Sequence, residues 1–323
     1  MEDSGKAGHM ASRPADGRRC DGEVTRHVRQ VDAHSLTAPG RNPSDTAALP
    51  CGGGIFCPMS VRDSSLSLSS APVAPDAASA ALPAAQPYVH VAGTTRTLHF
   101  SDKVIQSRMS TLSPDALDLE YTRMMMGFVL FAPAPADILM VGLGGGSLAK
   151  FCHRYLAHSR IEVVEIDAGV IALRDAFMVP PDGERFRVVQ ADAADHLRGL
   201  RDAADVLLLD GFDDAGIPPA LCSADFYADC HRALRDNGIL VINFHVNHSL
   251  HHAYLDRVRA AFGGAMFEVV DDDMTNSIVF ACKGDLLDDP AAADLKRPAV
   301  IPKDAWRQLM PTLRVIGATR ELK

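Results

Sequence analysis

ADILMVGLGGGSLAKF, residues 136–151, decides how the chain is read. Residues 138–141 form a continuous apolar run, the composition of a strand buried on both faces. Four of the next five residues are glycine: Gly142, Gly144, Gly145 and Gly146. Ser147 then opens SLAKFCHRYL, which has helical periodicity. A strand, a glycine loop and a helix in succession let the backbone turn tightly and offer free helix N–H groups to a ligand. Glu165 lies 23 residues beyond Gly142, at the end of the next apolar strand, RIEVVEID (160–167). An acid there can accept both hydroxyls of a ribose. The combination points to a nucleoside-containing ligand; a plain tight turn beside a solvated Glu is the simpler alternative.

Downstream the alternation continues. AGVIALRDAF (168–177) reads as a helix, RFRVVQAD (185–192) as a strand, ADHLRGL (194–200) as a short helix and ADVLLLDGF (204–212) as a strand. SADFYADCHRALRDNG (223–238) reads as a helix stopped by Asn237-Gly238, followed by the strand GILVINF (238–244). SLHHAYLDRVRAAFGG (249–264) is the next helix, with MFEVVDDD and NSIVFACKG as closing strands. Apolar strands between helices imply a mostly parallel sheet covered on both faces, an α/β fold of Rossmann-like, class I methyltransferase type. Upstream, SPDALDLEYTRMMMGFVLF (113–131) predicts one helix with Ser113 as cap and Pro114 in its first turn. Before it VHVAG, TRTLHF and KVIQSRM predict a small N-terminal β unit. Residues 63–86 are dominated by Ser, Ala and Pro, so 1–86 is expected to be disordered. The expected organisation is 1–86 as an extension, 87–112 as the β unit and 113–284 as the nucleoside-binding domain. A tail, 285–323, is expected to carry a helix near DAWRQLMPTLRVI.

Composition narrows the function classes. Of 323 residues 47% are hydrophobic and 23% charged, which excludes a fully disordered chain, a collagen and a coiled-coil rod. The net charge of −9 argues against nucleic acid as a partner, because phosphate binding needs a basic face. No apolar run approaches the roughly 20 residues of a membrane span. The seven cysteines are odd in number and follow no zinc spacing, so reduced thiols and a cytoplasmic location are expected, with no metal.

Two carboxylate groups stand at further strand ends. Asp192 follows RVVQ, where it can accept from an exocyclic amine such as that of adenine or cap the next helix. Asp210-Gly211-Phe212-Asp213-Asp214 follows an apolar strand, and three clustered carboxylates call for a nearby cation. An amine substrate would supply one, and an Asp could take its proton; a solvated loop or a metal site are the alternatives. His245, His248, His251 and His252 could bind zinc or line the site, but a polar loop entering a helix is the plainer reading. Met124, Met125 and Met126 read as core, Cys222 and Cys230 as buried thiols, and Asp271-Asp272-Asp273 as a solvated turn.

The order and spacing of the glycine loop, EIDAGVI (165–171), Asp210/Asp213 and SADFYADCHRALRDNGIL (223–240) resemble the spermidine synthase family of aminopropyltransferases, from about Leu98 to Gly284. YTRMMM (121–126) resembles the family's Tyr-containing segment. The resemblance implies transfer of an aminopropyl group from decarboxylated S-adenosylmethionine to an amine, with methylthioadenosine released and no tightly bound cofactor. It implies that Gly142, Gly144, Gly145 and Gly146 shape the nucleoside loop, Glu165 holds the ribose and Asp192 the adenine. Asp210 would deprotonate the amine, Asp213 would bind its ammonium, Tyr121 would shape the amine channel, and Gln106 would lie near the nucleoside. A homodimer through the N-terminal β region is implied as well.

The chain departs from the pattern at two places. Gly145 stands where the family's loop has an Asp that contacts the aminopropyl amine, and Thr122-Arg123 replace a His-Glu. A helix N-terminus without that acid favours negative charge, as in the carboxylate of intact S-adenosylmethionine. Arg123 facing the site would be wrong for a diamine. Methyl transfer from S-adenosylmethionine, or a non-catalytic nucleoside- or polyamine-binding role, are therefore the alternatives to aminopropyl transfer.

Overall fold

The structure is a computed structural model and describes residues 86–101, 105–212, 216–288 and 295–321. The disorder expected of 1–86 therefore lies, up to residue 85, outside the described residues. The chain opens with an antiparallel sheet of β1 (Tyr88–Ala92), β2 (Thr95–His99) and β3 (Ser107–Ser110). The third strand starts at Ser107, four residues after the expected Lys103. Gln106 precedes it and gives its backbone N–H to the Leu98 carbonyl at 2.9 Å.

The main sheet has seven strands. They are β4 (Asp137–Val141), β5 (Arg160–Glu165), β6 (Phe186–Gln190), β7 (Ala204–Leu209), β8 (Leu234–His245), β9 (Met266–Val270) and β10 (Asn276–Cys282), in the order β6-β5-β4-β7-β8-β10-β9. The first five are parallel, and β10 runs antiparallel to both β8 and β9. The helices between them are α2 (Ser147–Tyr155), α3 (Ala168–Ala172), α4 (Ala193–Arg198), α5 (Ala224–Ala233) and α6 (His251–Ala261). Side chains alternate along each strand, so the apolar runs divide between two faces. Ile138, Met140, Val163, Val206, Leu208, Val241 and Phe280 enter one core layer; Leu139, Val141, Val164, Leu207, Leu209, Leu240 and Val279 enter the other. Continuous apolarity is what two covered faces require.

The helix expected over 113–131 does not begin at Ser113. Residues 113–116 form turns, with Ala116 N–H on the Ser113 carbonyl at 3.0 Å. Leu117 is buried, and its N–H bonds the Gln308 side chain at 2.7 Å. That long-range bond holds the segment extended, and α1 runs only from Glu120 to Met125 before a 3₁₀ turn, Met126–Leu130. Leu119 takes the cap position without a side-chain bond, so Ser113 is not the cap. The helix after β5 is also shorter than expected, ending at Ala172.

Asn237-Gly238 does not stop a helix. The preceding helix, α5, ends at Ala233, and β8 begins at Leu234. Between Ala204 and Val206 of β7 the register with β8 shifts, and Asn237 takes φ +61° in the bulge. Arg235, paired with Asp137 and Asp205, pulls this stretch onto the sheet. The last helix, α7 (Lys303–Glu321), is longer than its expected core. Its Leu309, Leu313 and Ile316 are fully buried in the layer with Phe128 and Phe280. Each contributes about 1.5–3 kcal/mol by burial. Among the described residues no helix is long and apolar enough to cross a membrane. The boundaries at 86, 112 and 284 stand as a proposal.

Candidate active site

A cavity of about 720 Å³ opens at the carboxyl ends of β4, β5, β7 and β8. This is where open α/β sheets take ligands, and the volume suits a small molecule. Gln106, Tyr121, Gly142, Gly144, Gly145, Glu165, Asp192 and Asp210 all line it. Gly146 does not; it sits at the head of α2 packed against Val179. Asp213 lies outside the described residues.

At one end the glycine loop is tied to the strand tips. Gly142 has φ +92°, and a Cβ there would lie 2.3 Å from the Asp210 carbonyl oxygen, so only glycine fits. Glu165 is buried, and its carboxylate accepts from the Leu143 N–H at 2.8 Å and the Asp167 N–H at 2.9 Å. Each oxygen keeps a lone pair for a ligand hydroxyl. Asp192 caps α4, accepting from the Ala194 N–H at 2.7 Å, and lines the cavity as well. The capping reading holds, and the side chain also stands at the cavity wall.

Gly145 has a steric explanation that the sequence did not reveal. A Cβ at this position would lie 2.5 Å from Ser107 Oγ and 3.0 Å from the Phe177 ring. Ser107, on β3, occupies the place a side chain at 145 would need, and it lines the cavity. Behind it, the Lys150 ammonium donates to the Phe177 carbonyl at 2.8 Å and contacts Met109 Sδ at 3.0 Å. Burial pushes its pKa down to about 8.

At the other end stand Asp210, Tyr121 and Asn243. The Tyr121 hydroxyl interacts with the Asp210 carboxylate, and Asn243 Nδ2 donates to Asp210 Oδ1 at 3.0 Å. Burial raises the Asp210 pKa above the usual carboxylate range, while the two donors oppose that rise. Burial and the Asp210 charge hold the Tyr121 hydroxyl protonated. Among the described residues Asn243 Oδ1 has no partner, although the side chain is 3% exposed and lines the cavity.

A pH profile tests this arrangement. An ionised Asp210 is lost as pH falls through its raised pKa, so the rate should fall there too. Asn243→Ala removes a donor that favours the charged form. The acid limb of kcat/KM is expected to move to higher pH than in the wild type. An unmoved limb would separate Asp210 from the titration.

Asn243 and Ser107 went unnoticed in the sequence. A polar residue inside the apolar GILVINF, on the strand beside Asp210, was a usable signal for Asn243; no local pattern marks Ser107. Arg123 does not line the cavity: its guanidinium bonds the Leu117 and Asp118 carbonyls at 2.7 and 3.1 Å. Of the four histidines, His245 lines the cavity, while His251 is buried against Glu268 at 2.8 Å and His248 Nδ1 accepts from the Leu250 N–H. Among the described residues no group of three ligating side chains is placed to hold a metal ion. The acidic turn is only partly solvated. Asp271 is buried and accepts from Thr275 and Asn276, closing the hairpin between β9 and β10. Met124, Met125 and Met126 lie in the core, and Cys222 and Cys230 are buried free thiols.

The spermine/spermidine synthase domain matches residues 118–276. The chain is 39% identical over 188 residues to the polyamine aminopropyltransferase of Chromobacterium violaceum, covering 57% of this chain and 72% of that one. It is 37% identical over 191 residues to the polyamine aminopropyltransferase of Neisseria meningitidis serogroup A, covering 58% and 73% respectively. A solved structure, a probable spermidine synthase from Corynebacterium glutamicum, shares the fold with a TM-score of 0.55 at 22% identity, covering 61% of this chain and 76% of that one.

Proposed function

Because the chain belongs to the spermine/spermidine synthase family, we propose that it moves the aminopropyl group of decarboxylated S-adenosylmethionine onto an amine. One observation carries the reading. A single cavity joins a nucleoside end, with Glu165, Asp192 and the glycine loop, to an amine end where Asp210 is held by Tyr121 and Asn243. The amine nitrogen forms a C–N bond at the methylene beside the sulfonium, and the C–S bond breaks. The electron pair leaves on the sulfur of methylthioadenosine. Asp210 receives the proton the ammonium gives up, and the cavity supplies positioning. Glu165 takes the ribose and Asp192 the adenine, with Gln106 beside them. Tyr121 shapes the amine channel, and Asp213 binds the substrate ammonium. The family resemblance supports a cytoplasmic homodimer acting on a small amine, with no tightly bound cofactor.

Methyl transfer is not favoured by the relatives described above. The case for it in the sequence rested on Gly145 and Arg123; Ser107 fills the space a side chain at 145 would need, and Arg123 is turned to the Leu117 and Asp118 carbonyls. Calorimetric titration with both donors tests the reading. Decarboxylated S-adenosylmethionine is expected to bind at least about tenfold tighter than the intact form, a difference of about 1.4 kcal/mol. The reverse preference would restore the methyltransferase reading. Binding without turnover on any amine would restore the non-catalytic one.

A further inference from the structure

Two side chains of β8 point to the same face, two residues apart: Asn243 and His245. The first donates to Asp210. The second ends the strand, lines the same cavity and stacks on Phe212, with ring centroids 4.5 Å apart and planes 21° apart. Phe212 itself follows Asp210 by two residues. The stacked pair therefore joins the ends of two neighbouring parallel strands, β7 and β8, just beyond the carboxylate. Along the strand, His245 lies about 6.6 Å past Asn243 at 3.3 Å per residue. That is the order of the distance between the two nitrogens of a short diamine. Desolvation and the nearby His248 depress the His245 pKa, so its ring is neutral at pH 7 and can accept a hydrogen bond.

Resting on the aminopropyl-transfer reading, we propose that the Phe212–His245 pair selects the acceptor. The methylene chain of an α,ω-diamine lies against the pair while one nitrogen reacts at Asp210, and the His245 ring edge accepts a hydrogen bond from the ammonium that does not react. An ammonium carries three N–H donors, so a neutral imidazole acceptor adds to, and does not replace, the carboxylate pairing proposed for Asp213.

Steady-state kinetics with 1,4-diaminobutane and with butylamine, both under saturating decarboxylated S-adenosylmethionine, test the proposal. His245→Ala should raise the diamine KM about tenfold or more, the effect of one charge-assisted hydrogen bond, with kcat within about twofold. The KM for butylamine, which meets the stacked surface alone, should rise by a clearly smaller factor, and the affinity for the donor should not change. His245→Gln, which restores an acceptor oxygen, should recover part of the diamine KM. Phe212→Leu should raise the KM for both amines, because it removes the stacked surface but leaves the cavity apolar. An unchanged diamine KM in His245→Ala, or an equal rise for diamine and monoamine, would overturn the proposal while leaving aminopropyl transfer intact. Wild-type protein that binds the donor but turns over neither amine would overturn both.

Discussion

Asp210→Asn should lower kcat by about 10²–10⁴-fold, the usual contribution of a positioned general base, and leave donor binding within about twofold. The substitution keeps the shape and removes the charge. Asn243 Nδ2 can still donate to the new carboxamide oxygen, so the wall of the cavity should hold. What is lost is the oxygen proposed to take the proton from the attacking ammonium. Single-turnover rates and donor calorimetry on the same preparation separate the two effects. Full turnover by the variant would remove Asp210 from the mechanism. Stability should move the other way. Burial raises the Asp210 pKa in the folded chain, so folding binds a proton more tightly than the unfolded chain does. The resulting cost is absent below the ordinary carboxylate pKa and is fully present above the raised one. At neutral pH the variant should therefore melt no lower than the wild type, and above it if Asn243 and Tyr121 keep their bonds. Activity and stability are opposed at this residue because the base must be ionised inside an enclosure that penalises charge.

Gly142→Ala should be the most damaging small substitution in the glycine loop. The residue stands at φ +92°, which costs an alanine about 1–2 kcal/mol. Its methyl group would lie 2.3 Å from the Asp210 carbonyl oxygen, a backbone atom that cannot rotate away. Overpacking of this kind costs a further 1–3 kcal/mol or so. The clash falls on the backbone of Asp210, so the loop and that carboxylate should be displaced together. Thermal unfolding is expected to drop by several degrees, and donor affinity by about tenfold or more. Gly144→Ala is the internal control: its φ is also positive, but nothing lies within 4 Å of a Cβ there. It should keep more of both properties. Equal losses in the two variants would show that strain alone, and not the contact with Asp210, sets the effect.

Much of this site was legible before any coordinates. The apolar runs of β4, β5 and β7, and the helix that follows the glycine loop, are local patterns repeated every two or three to four residues. Glu165 ends β5, Asp210 follows β7, and Asp192 comes two residues after β6. Parallel strands bring their carboxyl ends to one edge, so the acids were expected to meet and do line one cavity. Asp192 as a cap was also readable, because the bond spans only two residues.

The rest depended on contacts between distant segments. The start of α1 shifted from Ser113 to Glu120 because Gln308, 191 residues from Leu117, takes its N–H. Arg123 was open in the sequence and is turned to the carbonyls of Leu117 and Asp118. Gly145 looked like the loss of an acid; Ser107, from a separate sheet, fills its place. Asn243 joined the cavity wall only when β8 settled beside β7 with its bulge in place, and the same packing singled out His245 from four candidate histidines.

By itself, then, the sequence determined the strand–helix alternation, the turning glycines and the strand ends at which the acids stand. These follow from backbone sterics and from periodicity over neighbouring residues. Only the tertiary structure decided which side chains stand beside Asp210, why residue 145 carries none, and where Arg123 points. Those answers come from packing and hydrogen bonds across separate elements, whose relative placement no local window of sequence contains.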